Sequence, residues 1–210
     1  MSADPASKTT HFGFEEVAWS DKARRVRGVF DSVAPKYDLM NDLMSAGMHR
    51  LWKQFTLSQT HLRPGQRALD VAGGTGDLSR GLAAQVGPQG LVVLSDINGA
   101  MLSHGRDRMI DAGLLQGIGY VQANAECLPF ADSSFDCVTI GFGLRNVTDK
   151  PAALASMQRV LKPGGVVLFT EPLGHNPAIE FYRKRTPEAR TPDEHPLLVP
   201  DFAKFDATFE

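Results

Sequence analysis

Apolar residues recur at helical spacing early in the chain. Val26, Val29, Phe30 and Val33 fall at i, i+3, i+4 and i+7, and Met48, Leu51, Trp52 and Phe55 repeat that spacing. Between them Tyr37, Met40, Leu43 and Met44 make a weaker stripe, and Pro35 separates the first helix from the second. The pattern predicts amphipathic helices that lie over an apolar layer.

The period then changes. After the turn Arg63-Pro64-Gly65, residues 67–71 (RALDV) form a compact apolar strand, and GGTGD turns sharply into a helix over 77–86. Residues 91–95 make a second strand ending at Asp96, and Asn98 is placed to cap a helix with Leu102 and Met109 on one face. Strands follow at 118–122 and 136–141. Asp149 and Pro151 open a helix carrying Leu154, Met157 and Leu161. The turn Lys162-Pro163-Gly164-Gly165 precedes a fifth strand, 166–170. Strands alternating with helices predict parallel βαβ units in an open α/β sheet.

Beyond Glu171 six prolines fall between Pro172 and Pro200, which excludes a central strand or long helix there. Asn176-Pro177 suits the start of a short helix, and Phe202, Phe205 and Phe209 a last helical turn. The expected organisation is a helical cap over 1–62, an α/β core over 63–171 and a proline-rich tail over 172–210.

Composition narrows the classes. At 210 residues, 42% hydrophobic and 22% charged, the chain can bury a core without disulfides or a metal. A net charge of −2 does not favour nucleic acid as a partner. Two cysteines, Cys127 and Cys137, make no CxxC pair, so no metal site and a reducing compartment are expected. The first residues lack an apolar signal core, and no apolar run approaches the ~20 residues of a membrane span. A cytoplasmic protein, at most peripheral at the inner face of a membrane, is the expectation.

The candidate chemistry lies where strands end. Asp70, Gly73, Gly74, Thr75 and Gly76 lead from a strand into a helix, and Asp96 closes the next strand, where a carboxylate can hold both hydroxyls of a ribose. A plain turn is the alternative, but this context favours a nucleoside cofactor. A dinucleotide needs a third glycine, and Ser79 stands there. Asp77 also puts negative charge where a pyrophosphate would lie. S-adenosyl-L-methionine, cationic and without phosphate, suits the loop better. Asn124 and Ala125, after the third strand, suit an adenine edge. Gly141 to Asn146 put a guanidinium, Arg145, and an amide, Asn146, at the same sheet edge, unless the loop is only a cap with Arg145 in a surface ion pair.

Segments 10–17, 29–53, 69–79, 93–102, 120–130, 135–154 and 159–165 resemble the ubiquinone/menaquinone biosynthesis C-methyltransferases, a class I S-adenosylmethionine-dependent family. YDLMNDLMS and GLRNVTDK are its specific motifs, whereas GGTG and LKPGG occur across many methyltransferases. The resemblance covers about 9–170 and implies a doubly wound, Rossmann-like, mainly parallel sheet of order 3-2-1-4-5. It implies S-adenosylmethionine contacts from Thr75, Asp96, Asn124 and Ala125, with Ile97 beside them. It puts Gly141 where the family often has a cofactor-binding serine. Arg145, Asn146 and Tyr37 fall in segments the family uses around the quinol ring and are the candidate catalytic residues.

What the resemblance implies is methylation of a ring carbon in a prenylated benzoquinol or naphthoquinol. Arg145 would stabilise the phenolate that makes that carbon nucleophilic, with Asn146 orienting the ring. Tyr37, Met40, Met44 and Trp52 are candidates to line an isoprenoid channel. The expected partner is a lipophilic quinol, with membrane contact and a homodimer left open. The tail departs from the family and resembles tails of other class I methyltransferases. Two rival readings therefore stand beside this one: methylation of another small molecule, and a cofactor-binding protein with an incomplete acceptor site.

Overall fold

The computed structural model describes residues 9–12, 15–18, 48–171 and 208–209. Tyr37, Met40, Leu43, Met44, the 26–33 stripe, Asn176-Pro177, Phe202 and Phe205 lie outside the described residues. Near the start, β1 (Thr9–Phe12) pairs antiparallel with β2 (Glu15–Ala18).

The remainder is one parallel sheet with helices on both faces. In chain order it comprises α1 (Met48–Gln59), β3 (Arg67–Val71), α2 (Asp77–Val86), β4 (Leu91–Asp96), α3 (Gly99–Asp111), β5 (Ile118–Gln122), β6 (Phe135–Gly141), α4 (Lys150–Val160) and β7 (Leu161–Thr170). The five strands run in the order β5-β4-β3-β6-β7, so the expected 3-2-1-4-5 order is what the sheet has. Every strand pair in it is parallel, which puts all five carboxyl ends at one edge. The order reverses beside β3, the place where doubly wound sheets open a crevice for ligands.

Alternation along β3 divides the core. Leu69 and Val71 face a layer with Val138, Ile140, Leu154, Met157 and Val160, whereas Ala68 meets Leu82, Val86, Val92 and Cys137. Local signals set the helix starts: the Asn98 side chain accepts from the Met101 N–H at 2.9 Å, and that of Asp149 from the Ala152 N–H at 3.0 Å. On α3 the buried face is Met101, Gly105 and Met109, and Leu102 only borders it.

Two expectations need correction. The 162–165 turn does not precede the fifth strand but sits inside it. Phe135 pairs with Leu161 and Cys137 with Val166, so the intervening segment bulges out opposite Asp136. On α1 the stripe Leu51, Trp52, Phe55 is not the covering face. Leu51 is 58% and Phe55 67% exposed, while Thr56 and Thr60 are buried. The helix is fastened by Leu57, which packs on the Leu82 layer, and by hydroxyls: Thr56 Oγ1 bonds Thr170 Oγ1 at 2.6 Å, and Thr60 Oγ1, just past the helix, donates to Gln85 Oε1 at 2.6 Å. Helical periodicity located the element, but its tertiary neighbours chose the face.

Candidate active site at the carboxyl edge of the sheet

Three loops meet at this edge. The first, after β3, bends through Gly74 (φ 56°) and Gly76 (φ 82°), conformations that exclude most side chains. It rests on α3 at Gly105, where a Cβ would lie 2.7 Å from the Gly74 carbonyl oxygen. Sequence reasoning missed Gly105, although a glycine inside a helix is a signal of close backbone approach.

Asp70 supports this loop from beneath rather than bordering the crevice. It is fully buried, and its two oxygens accept from Ser79 Oγ at 2.7 Å and Thr139 Oγ1 at 3.0 Å. Burial pushes its pKa up to about 6, against the lowering effect of those hydroxyls. Ser79, at the third-glycine position, is thus an internal hydrogen-bond donor.

Asp77 does not carry bare charge, contrary to the expectation. It pairs with Lys53 from α1 and with Arg108 Nη2 at 2.9 Å. Burial acts to raise its pKa, but the two cations outweigh it and hold the carboxyl below the usual range. The Asp77 charge at the helix start is therefore neutralised by two cations. No sequence spacing links Lys53 to Asp77; only the fold brings them together.

Asp96 ends β4 at the mouth of the loop. Its Oδ2 accepts the Gly74 N–H at 2.9 Å and its Oδ1 the Asn98 N–H at 2.8 Å, and the Ile97 N–H also points at it. Burial raises its pKa against these three bonds. Two carboxylate oxygens offer about four lone-pair sites, so after three N–H bonds this constrained group keeps one acceptor site for a ribose hydroxyl. A loop with three glycines over a fixed carboxylate fits the ribose of S-adenosylmethionine.

The second loop follows β5. Asn124 Oδ1 caps a short turn by accepting from the Glu126 N–H at 3.1 Å, and Ala125 is buried. The Ala123 N–H donates to the Asp96 backbone carbonyl at 3.0 Å, tying this loop to the end of β4. Asn124 and Ala125 thus stand next to Asp96.

The third loop follows β6. A Cβ on Gly143 would meet the Ala72 methyl at 2.6 Å, and one on Gly141 would meet Leu78 at 2.9 Å. This loop is therefore packed directly on the first. Phe142 (φ 59°) and Ala72 (φ 51°) are non-glycine residues in the left-handed region, which concentrates strain where the loops touch. The Phe142 ring lies 6.0 Å from Trp52 and 5.9 Å from the Arg145 guanidinium. Arg145 and Asn146 occupy one turn after β6, with Arg145 31% exposed and Nη1 3.6 Å from Glu171 Oε2. The site thus unites Thr75, Asp96, Ile97, Asn124, Ala125, Gly141, Arg145 and Asn146 at one edge, while Tyr37 lies outside the described residues. Glu171 escaped sequence reasoning because it stands alone at the point where the composition shifts.

A model of the ubiE/COQ5 methyltransferase family matches residues 18–184, past residue 170 and into the tail. The ubiquinone/menaquinone biosynthesis C-methyltransferase UbiE of Legionella pneumophila (strain Paris) is 58% identical over 180 residues, covering 83% of this chain and 72% of that protein. Among solved structures, the YcgJ protein of Bacillus subtilis aligns with TM-score 0.63 at 22% identity, covering 74% of this chain and 66% of that one. A SAM-dependent methyltransferase from Aquifex aeolicus aligns with TM-score 0.52 at 22% identity, covering 56% of this chain and 62% of that one. These two likenesses are of fold.

Proposed function

The chain belongs to the ubiE/COQ5 methyltransferase family, and from that premise we propose that it methylates a ring carbon of a prenylated benzoquinol or naphthoquinol, such as demethylmenaquinol. It is an S-adenosylmethionine-dependent methyltransferase. Bound at the first two loops, that cofactor supplies an electrophilic methyl group on a sulfonium that departs as a neutral thioether.

The chain's own residues supply placement and charge. Asp96 receives the ribose, and the loop it fastens through Gly74 sets how deep a ligand sits. Asn124 and Ala125 border the adenine side. The acceptor loop is packed on the cofactor loop, so donor and acceptor stand in fixed relation, and positioning contributes much of the rate.

A quinol carbon is weakly nucleophilic until the neighbouring hydroxyl ionises, and a phenol ionises near pKa ~10 in water. The Arg145 guanidinium stabilises the phenolate oxygen through charge and directed N–H donors. Asn146 orients the ring. What supports this reading is that the turn carrying Arg145 follows β6 at the carboxyl edge, its loop packed on the loop that Asp96 fastens, together with the named relative's identity over most of the chain.

A lipophilic acceptor also supports a cytoplasmic enzyme working against the inner face of a membrane. Among the described residues no helix is long and apolar enough to cross one. The function is tested by incubating the protein with S-adenosylmethionine and each demethylated quinol. Conversion of one of them to its methylated product supports the assignment, and conversion of neither refutes it.

A further inference from the structure

Ionising the acceptor hydroxyl needs a base, and Arg145 is not one, because a guanidinium keeps its proton. The carboxylates nearby differ in what their oxygens already do. Glu126 Oε1 accepts the Thr148 and Asp149 N–H groups, at 3.2 and 2.9 Å, and its Oε2 faces Asn124. Asp149 caps α4, and Asp77 is held between two cations. Each of these has a structural employment.

Glu171 is different. It directly follows β7, next to the acceptor loop, and its side chain is 2% exposed. Oε1 accepts the Leu144 N–H at 2.6 Å, which aims the carboxylate at the turn that carries Arg145. Oε2 is buried without a hydrogen-bond partner among the described residues, 3.6 Å from Arg145 Nη1. A buried carboxylate oxygen lacking a donor is costly, and such atoms in folded proteins call for an explanation.

We propose that Glu171 is the proton acceptor for the acceptor hydroxyl, a role that rests on the quinol reading above, with one water beside Arg145 passing the proton to Oε2. The hydroxyl O–H bond breaks, its electron pair stays on the ring oxygen next to the guanidinium, and the carboxylate becomes a carboxylic acid. Once the ring carbon has gained its methyl group it loses its own hydrogen to solvent as a proton. Glu171 then returns its proton to the ring oxygen. One proton leaves per turnover, and the carboxylate is regenerated.

Among the described residues the charged groups facing Glu171 are Arg145 from the turn after β6 and Lys150 from the start of α4. On the α1 side the contact is uncharged, the Thr56 hydroxyl on Thr170. Burial raises the carboxyl's pKa, and the two cations and the Leu144 and Arg145 N–H groups offset this only in part. Glu171 is therefore a stronger base than a surface glutamate.

Glu171→Gln keeps an oxygen for the Leu144 N–H and removes the base. At saturating S-adenosylmethionine its turnover of quinol near neutral pH should fall by about 10²–10³, with cofactor affinity unchanged. The deficit should shrink towards pH ~10, where the hydroxyl ionises unaided, and the acid limb of the wild-type profile should vanish. A structural role predicts the same factor of loss at every pH, and that result, or wild-type turnover, overturns the proposal. Should Glu171→Gln not fold, infrared titration of the wild-type protein decides. A buried carboxyl band that persists in Asp70→Asn and in Asp96→Asn and ionises over the pH range where turnover rises supports the proposal, and any other range overturns it. A wild-type protein that methylates no quinol overturns the substrate reading and this role together, whereas equal quinol methylation by wild type and Glu171→Gln overturns this role alone.

Discussion

Asp96 Oδ2 accepts the Gly74 N–H at 2.9 Å, so one carboxylate at the end of β4 fastens the loop after β3. With the ribose contact proposed for it, cofactor binding and loop order would be coupled through this group.

Asp96→Ala should therefore weaken S-adenosylmethionine binding about 100-fold. A charge-assisted bond to the ribose disappears, at ~1.5–3 kcal/mol, and the loop loses its fastener. Titration calorimetry reads this directly, and an unchanged dissociation constant contradicts the role given to Asp96.

Arg145→Lys keeps the positive charge and loses the planar fork that fixes ring oxygen and water. Turnover of a demethylated quinol should fall by roughly 10²–10³ at saturating cofactor, the usual loss for one oriented electrostatic donor. Cofactor affinity should be unchanged. Were the Glu171 contact only a surface ion pair, the variant would turn over like wild type.

Gly105→Ala inverts the usual helix rule. Alanine in a helix interior is ordinarily better than glycine by about 1 kcal/mol. Here its methyl would stand 2.7 Å from the Gly74 carbonyl oxygen, a backbone atom that cannot rotate away. The variant should lose about 1–3 kcal/mol of stability and bind S-adenosylmethionine more weakly. Urea unfolding checks the sign, and a stabilised variant would mean the loop is loosely seated.

Asp70 ties stability to pH. Its pKa is about 6 in the folded chain against an ordinary 3.8, so between those values the folded state holds a proton that the unfolded chain has released. Its contribution is therefore full below pH 3.8 and is lost as pH rises through 6, by about 3 kcal/mol. The stability of wild type relative to Asp70→Asn should decline from pH 4 to 7. A flat difference across that range would place the carboxylate in a polar setting instead.

Much of this was legible before the structure. Compact apolar runs separated by turns located the five parallel strands: β3, β4 and β6 because they are short and mostly buried, β5 and β7 because turn residues bound the apolar run, although β7 begins five residues earlier than that run. The Asn98 and Asp149 caps were visible because capping acts within three residues. Asp96 was found because the chemistry of a strand end depends on position along the chain. What escaped depends on packing between distant segments. The exposed Leu51 and Phe55 follow from threonines that anchor α1 elsewhere. Lys53 meets Asp77, and Glu171 meets Arg145, only through the sheet. The 162–165 turn was recognised, but its place inside β7 depends on pairing with β6.

The central claim is carbon methylation of a quinol. Its most direct test supplies S-adenosylmethionine labelled with carbon-13 at the methyl group, together with demethylmenaquinol and its benzoquinol counterpart, and analyses the extracted product by nuclear magnetic resonance. The account predicts a labelled methyl bonded to a ring carbon, absent when Arg145→Lys replaces wild type at the same enzyme concentration and short incubation. Label on oxygen, or no labelled quinol at all, would contradict it.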